Sequence, residues 1–533
     1  MSQWIFGGLG LIFAIALLAS LVWSSLLWVA LLALVLVGVA VWDYRQRSHA
    51  LWRNFPVLGR GRWVMEFLRP FFRQYFGESD TDGAPVNRMF RSVVYQRAKG
   101  ARDTTPLGTR LDTYRDGYEW IAHSLHPSHG PEIADMRVAI GGPDCRQPYR
   151  ASVLNISAMS YGSLSDNAVR ALNRGAAKGQ FAHNTGEGGI SPYHLENGGD
   201  LIWQIGTGYF GCRTEDGDFN PDAFSANAAR DAVRMIEIKL SQGAKPGHGG
   251  ILPAAKNTAE IAAIRGVVEG TSVNSPPGHS AFDSPLGMMR FVAQLRELSG
   301  GKPIGIKLCV GEPAEFFALC AAMKASGTSP DFVTVDGGEG GTGAAPLEFS
   351  NSVGMPVRDA LALVHDALVG YGLRDRVTVI ASGKVFSAFH AVKLLCLGAD
   401  AVNSARGMML ALGCVQSLIC NTNECPTGIA TQDPHLKRGL DVGDKSERVA
   451  RYHAATVKAM AELIGAAGLH GTGELRRSHL FRRVDQLTVK RYSEIYPDIE
   501  PGSVDTDALP DRYRTLAAQA KSLVGAESEG SHA

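Results

Sequence analysis

The sequence has almost no net charge: 53 lysines and arginines stand against 52 aspartates and glutamates, a formal surplus of +1. A nucleic-acid partner is therefore not expected, because such binding draws on a basic surplus to release counterions. Cysteine is scarce too, at eight in 533 residues, and a chain of this size has no need of disulfide staples. Neither a low-complexity tract nor an internal repeat of solenoid period stands out. The most local absence comes at the start, where no residue from Trp4 to Trp42 is charged.

A helix needs about 20 apolar residues to cross the hydrocarbon core, so this run is roughly two crossings long. The polar pair Ser24-Ser25 divides it, and the pattern predicts a transmembrane hairpin of helices over 4–23 and 26–43; one long or kinked helix is the other reading. Met1-Ser2-Gln3 lacks the basic flank of a cleavable signal peptide. Arg45, Arg47, Arg53, Arg60, Arg62 and Arg69 crowd the exit, which predicts a cytoplasmic catalytic part anchored to the inner (plasma) membrane by two transmembrane helices. Trp42, Tyr44 and Trp52 suit the headgroup level.

What is present is an ordinary globular balance, 45% apolar and 20% charged, with 61 glycines gathered in tight groups. Residues 1–43 are the anchor, and 44–135 form an Arg-rich extension without a clean period, expected to wrap the soluble domain and meet the membrane surface. Residues 136–475 alternate short β-branched runs with Ala-rich helical stretches, and 476–533 read as a docking arm with a frayed end. The runs are Val153–Ser157, Phe181–Asn184, Met235–Leu240, Ser272–Asn274, Pro303–Leu308, Phe332–Asp336, Val377–Ser382 and Ala401–Ser404. Eight strand–helix units predict an α/β fold, a (β/α)8 TIM barrel with N- and C-terminal extensions. Leu201–Ile205 is a ninth candidate, assigned to an excursion after the second strand.

Barrel chemistry sits at the C-terminal ends of the strands, and the unusual residues fall there. Glycine-rich loops follow the sixth, seventh and eighth runs (D-G-G-E-G-G-T-G-A, A-S-G-K, S-A-R-G), which suits a phosphate held by backbone N–H groups. Cys414, Cys420 and Cys425 lie within twelve residues, and Cys425 precedes Pro426, a pattern of iron–sulfur loops. A zinc site completed by His435, three unremarkable thiols, or Cys420 as a covalent nucleophile are the other readings. The last rests on S-L-I-C-N-T, which resembles a loop of inosine-monophosphate dehydrogenases.

In order along the chain, A-M-S-Y-G-S-L-S, N-T-G-E-G-G, Q-G-A-K-P-G-x-G-G-x-L-P, D-G-G-x-G-G-T-G-A and C-x5-C-x4-C followed by P-x-G-x-A-T-Q resemble the FMN-binding synthase domain of glutamate synthases. The match runs from about 150 to 435, and the N-terminal hairpin resembles a membrane-anchored, stand-alone branch. The resemblance implies FMN, a 3Fe–4S cluster on Cys414, Cys420 and Cys425, and reduction of 2-iminoglutarate, formed from 2-oxoglutarate and ammonia or another amine, to glutamate or a related amino acid. It implies Ala158, Met159 and Ser160 bordering the flavin, Gln204 and Lys307 beside its ring, and Gly341, Gly343, Gly383 and Arg406 at the phosphate. Gln242, Lys245 and Arg265 would hold the dicarboxylate, with Glu187 in the same pocket and Glu187 and Lys245 catalytic. Arg265 can grip a carboxylate bidentately while Lys245 acts as a point charge. The resemblance also allows a homo-oligomer.

The resemblance departs from the family in three places: neither an N-terminal glutaminase domain nor a long C-terminal β-helix is expected from these 533 residues, and His248 stands where an acidic residue is frequent. No dinucleotide-binding site stands out, so a separate electron-donor protein is expected. Lys245 as a surface lysine and Arg265 as an ordinary helix residue are the bland readings. His183 and His194 read as structural, while His248 and His279 stay undecided. A membrane flavoprotein of electron transfer or regulation, with amination lost, is the alternative function.

Overall fold

The computed structural model describes residues 2–102 and 104–530. The chain divides into two compact units, Met1–Met89 and Phe90–Ala533.

In the larger unit eight parallel strands close into a barrel: β1 (Leu154–Ile156), β2 (His183–Asn184), β3 (Leu201–Ile205), β4 (Val233–Lys239), β5 (Ile304–Leu308), β6 (Phe332–Asp336), β7 (Thr378–Ser382) and β8 (Ala401–Ser404). Closure is made by β8 on β1, with Ser404 opposite Ile156. The expected (β/α)8 barrel is present, with one exchange of strands. Leu201–Ile205 is the third barrel strand, buried along its whole length between β2 and β4. Ser272–Asn274 is outside the barrel, where Val273–Asn274 pairs antiparallel with Ile251–Leu252. The reason is burial: L-I-W-Q-I can face apolar layers on both sides, as a parallel strand must, whereas Asn274 is exposed.

The hairpin Arg137–Ile140 with Tyr149–Ser152 carries Ile140 and Ala151 onto a layer of Ala182, Ile202, Met235, Phe332, Ile380 and Ala401, closing the barrel at the strand starts. Higher in the barrel, the buried Glu237 carboxylate accepts hydrogen bonds from Asn184 (2.8 Å), Gln204 (2.6 Å) and Thr334 (2.7 Å), so this carboxylate is satisfied. Around the outside, helix Asp166–Gly179 starts where the Ser165 hydroxyl accepts from Ala168 N–H, and it packs against the long helix Val442–Ala466. The C-terminal arm docks on this unit. Leu480–Arg483 pairs with Glu119–Ile121, and helix Asp511–Gly530 buries Tyr513, Ala517 and Ala520, with Tyr513 donating to Asp366 at 2.7 Å.

In the smaller unit helices Ser2–Ala19 and Leu26–Arg45 lie side by side, with Phe6 edge-on to Tyr44 at 5.9 Å. Leu26–Arg45 is the one described helix long and apolar enough to cross a membrane. The first helix ends at Ala19 instead of continuing to residue 23, with the Ser20 hydroxyl bonded to Leu17 O at 2.6 Å. Its apolar part, Trp4–Ala19, is about 24 Å long at 1.5 Å per residue and falls short of a crossing. The expectation of two transmembrane helices is corrected accordingly. Within 44–135, the stretch read as lacking a clean period contains helix Arg60–Phe72.

Candidate functional site

At the C-terminal rim, β1 and β4 to β8 surround an open cleft. Six of the expected residues line it: Ala158, Gln242, Lys307, Gly341, Gly383 and Arg406. Arg406 Nη2 donates to Glu339 O at 2.7 Å, and its guanidinium lies over the Phe386 ring. Lys384, which sequence reasoning missed, adds a second cation at this end. Its φ of +50° is a left-handed conformation unusual for lysine, imposed in the turn after β7. Burial pushes both groups below their ordinary values, and Arg406 lowers Lys384 further by repulsion. Two crowded cations beside glycine backbone make a place for an anion.

Deeper in the cleft, Lys307 lies 3.5 Å from Asp336. Burial would lower its pKa, but Asp336 and Glu237 outweigh that and hold it above the ordinary lysine value. The buried Asn403 Oδ1, also at the lining, has no hydrogen-bond partner among the described residues. Of the other residues expected at the cofactor, Met159 and Ser160 continue the chain beyond Ala158, with Met159 buried. Gln204 points into the barrel interior toward Glu237. Gly343 is exposed, and a Cβ there would stand 4.0 Å from Cys420.

A second cluster gathers Glu187, Lys239, Lys245 and Arg265. Lys239, at the end of β4 and absent from the sequence reading, donates to Glu187 at 2.7 Å. Burial would raise the Glu187 pKa, yet Lys239, Arg265 and Lys245 together hold it below the usual carboxylate range. Lys245 is 2% exposed and donates to Ala344 O at 2.8 Å; burial, aided by Lys239, pushes it down to about 8. Arg265 is 5% exposed, donates to Tyr161 O at 3.0 Å, and lies over Phe210. Its Nε has no partner among the described residues, and burial pushes the group down to about 10. Thus three buried cations face one carboxylate. The bland readings of Lys245 and Arg265 as surface residues are excluded by this burial.

Glycines of the motifs make room for these side chains. A Cβ on Gly188 would lie 2.8 Å from Arg265 Nη2, and one on Gly250 would overlap the Glu187 carboxylate. His279 is resolved as a support: its ring bonds Lys239 O at 2.9 Å through Nε2 and Tyr209 Oη at 3.0 Å through Nδ1. Ala281 N–H donates to the same Tyr209 oxygen, so the Tyr209 hydroxyl donates to Nδ1 and Nε2–H donates to Lys239. His248 packs edge-on to Phe349. His183 and His194 are buried side by side at 5.2 Å, away from the cleft lining.

The three cysteines share one loop after the helix that follows β8. Tyr95 donates to Cys414 O at 2.6 Å, and Cys425 lies 3.3 Å from the Thr427 hydroxyl. Burial opposes ionisation of Cys425, but Thr427 and backbone N–H groups of residues 427, 429 and 430 hold its thiol below the ordinary value. Among the described residues no three His, Cys, Asp or Glu side chains converge closely enough to hold a metal ion. The three thiols stand on one loop, with backbone N–H groups acting on the Cys425 sulfur.

Residues 140–470 match the family model described as the conserved region in glutamate synthase. The glutamate synthase large subunit-like protein YerD of Bacillus subtilis is 36% identical over 488 residues, covering 84% of this chain and 92% of that protein. An archaeal glutamate synthase (NADPH) of Methanocaldococcus jannaschii is 37% identical over 322 residues, 60% of each chain. The glutamate synthase (NADPH) large chain of Bacillus subtilis is 32% identical over 339 residues, which are 60% of this chain and 21% of that one. With its matched region spread over the whole barrel and the cysteine loop, this chain belongs to the glutamate synthase family.

Proposed function

We propose that the protein is an FMN- and iron–sulfur-dependent oxidoreductase that reduces 2-iminoglutarate, formed from 2-oxoglutarate and an amine, to glutamate or a related amino acid. The observation that carries the reading is the charge count beside the cleft: Lys239, Lys245 and Arg265 face Glu187 alone, leaving two buried positive charges to be met. Buried charge is stable when paired, and a five-carbon dicarboxylate brings two negative charges.

The cleft suits FMN. Lys384 and Arg406 would hold the phosphate, Asn403 Oδ1 offers an unused acceptor, and Lys307 would face the ring. When bound, FMN would supply hydride chemistry. The chain's own part is to place the substrate and move protons. Arg265 and Lys245 bind the carboxylates, with Gln242 between them and the cofactor cleft. Lys245, poised near 8, exchanges a proton with the substrate at neutral pH. Glu187, neutralised by Lys239, holds the cations in place. Cys414, Cys420 and Cys425 would hold a 3Fe–4S cluster, which would supply one-electron transfer, with a separate donor protein as the expected source of electrons. Leu26–Arg45 would cross the inner membrane, its Arg-rich flank keeping the barrel in the cytoplasm.

The test is reoxidation of the chemically reduced protein by 2-oxoglutarate with ammonium or other amines, after heat-released cofactor has been identified as FMN by chromatography. Arg265→Ala should weaken apparent 2-oxoglutarate binding by a cost of about 2–5 kcal/mol, roughly thirtyfold or more, with FMN content unchanged. No response to 2-oxoglutarate with any amine overturns the substrate assignment, and recovery of FAD overturns the cleft assignment.

A further inference from the structure

One face of helix Arg60–Phe72 is aromatic: Trp63, at its start, packs edge-on to Trp52 and His49, and beyond it the face is open. Trp63, Phe67 and Phe71 succeed one another at intervals of four, flanked by Val64 and Leu68, while Arg62, Glu66 and Arg69 take the opposite side. Trp63 is 40% exposed, Phe67 70% and Phe71 51%, and in the turn Arg73–Gly77 that follows, Phe76 is 84% exposed. A helix of this length is marginal in water by itself, and an apolar face of this size calls for a partner.

Where the helix begins indicates what covers it. Asp43, fully buried near the end of Leu26–Arg45, accepts from the Arg60 guanidinium at 2.6 Å and from Val57 N–H at 2.9 Å. The start of the aromatic helix is therefore tied to the exit of the apolar span, at headgroup level. From Tyr44 to Gly77 there are seven arginines and one acidic residue, Glu66, which complements an anionic surface. Aromatic residues on one side and arginines on the other are the pattern of a helix lying in a bilayer interface.

We propose that Arg60–Phe72 lies in the plane of the cytoplasmic leaflet, with Trp63, Phe67 and Phe71 at the acyl boundary and Arg62 and Arg69 at anionic lipid phosphates. The inference rests on the reading that Leu26–Arg45 crosses the membrane. It makes the anchor a span plus an in-plane helix, locked together by Asp43 and Arg60.

The experiment uses the full chain in vesicles of phosphatidylglycerol and phosphatidylcholine, with a benzophenone amino acid placed at Phe67, Phe71 or Arg62. Flotation after an alkaline wash is read first, then photo-attachment to lipid. The expected result is flotation of every form, with several-fold more lipid attachment from positions 67 and 71 than from 62. Should the probe at 67 or 71 prevent accumulation, the same contrast is read from Phe76. Flotation with equal lipid yields at all positions, or with attachment from 67 and 71 to the barrel or to a second copy, overturns the in-plane helix and leaves the span standing. Failure of the unsubstituted protein to float overturns the span reading and this inference with it.

Discussion

Lys239 Nζ donates to a Glu187 carboxylate oxygen across 2.7 Å, with the two side chains 7% and 13% exposed. The pair joins the end of β4 to the loop after β2, and the charges of Lys245 and Arg265 act on its carboxylate. An ion pair so far from water depends on both partners, because either one alone leaves an uncompensated charge.

Lys239→Met should therefore destabilise the fold by about 3 kcal/mol, the lower end for breaking a buried pair, because Arg265 and Lys245 still act on Glu187. Adding Glu187→Gln should not restore that loss, since it leaves Lys245 and Arg265 without the one carboxylate they face. Urea unfolding of the single and double variants measures both. The sign of the pH effect follows from the depressed Glu187 pKa: its stabilisation is present above the ordinary carboxylate value and is lost as pH falls through the folded one. A single variant as stable as wild type would show that the pair contributes nothing.

Lys245 makes substrate binding pH-dependent. With its folded value near 8, the amine loses its proton as pH rises past that point, and the dicarboxylate loses one of its cations. Apparent affinity for 2-oxoglutarate should fall above about pH 8, approaching tenfold per unit, while Lys245→Met binds weakly and shows no such slope. Stability of the unliganded protein moves the other way. A lysine whose folded value is lowered releases its proton on folding, so stability rises between about 8 and the ordinary lysine value. Titration of binding by flavin spectroscopy at several pH values checks the affinity slope, and a flat profile in wild type would remove Lys245 from the site.

At the other end of the cleft, Lys384→Met and Arg406→Met should each loosen FMN. A charge-assisted hydrogen bond contributes about 1.5–3 kcal/mol, so each change should weaken cofactor binding by roughly ten- to a hundredfold. Riboflavin, which lacks the phosphate, should bind both variants about as well as it binds wild type. Equal losses for FMN and riboflavin would mean that these residues shape the cleft without meeting the phosphate.

The barrel's last three strands and their loops are legible because β-branched runs end abruptly in glycine clusters, and those signals are local. Leu201–Ile205 and Ser272–Asn274 are harder to rank, since both are short and only the burial of neighbours on each side separates a barrel strand from a loop strand. Lys239 is not legible at all. It closes the run M-I-E-I-K-L like any strand-edge lysine, and its partner Glu187 is 52 residues away, brought near only by the curvature of the barrel. The motif glycines are readable as places of close approach, but the approaching group at Gly250 is the protein's own Glu187 carboxylate. At the N-terminus, hydropathy marks the apolar run. Where each helix ends depends on the turn at Ser20–Ser25, which composition does not specify.

Replacing Cys414, Cys420 or Cys425 by Ser should remove iron and cluster absorption, because iron–sulfur clusters are held by cysteine thiolates and each change deletes one. FMN should be largely retained, since none of the three lines the cofactor cleft. The variants should not be equal in this respect. Cys420 stands against Gly343 in the glycine loop after β6, close enough that a Cβ on Gly343 would come within 4.0 Å of it. Cys425 is instead held by Thr427 and neighbouring backbone N–H groups. Loss of the cluster through Cys420→Ser should thus loosen FMN more than loss through Cys425→Ser. Iron and flavin per chain, measured on anaerobically prepared protein, test both statements. Stoichiometric zinc without iron in the unsubstituted protein would overturn the cluster, and equal flavin losses from Cys420→Ser and Cys425→Ser would show that the cysteine loop and the glycine loop are independent.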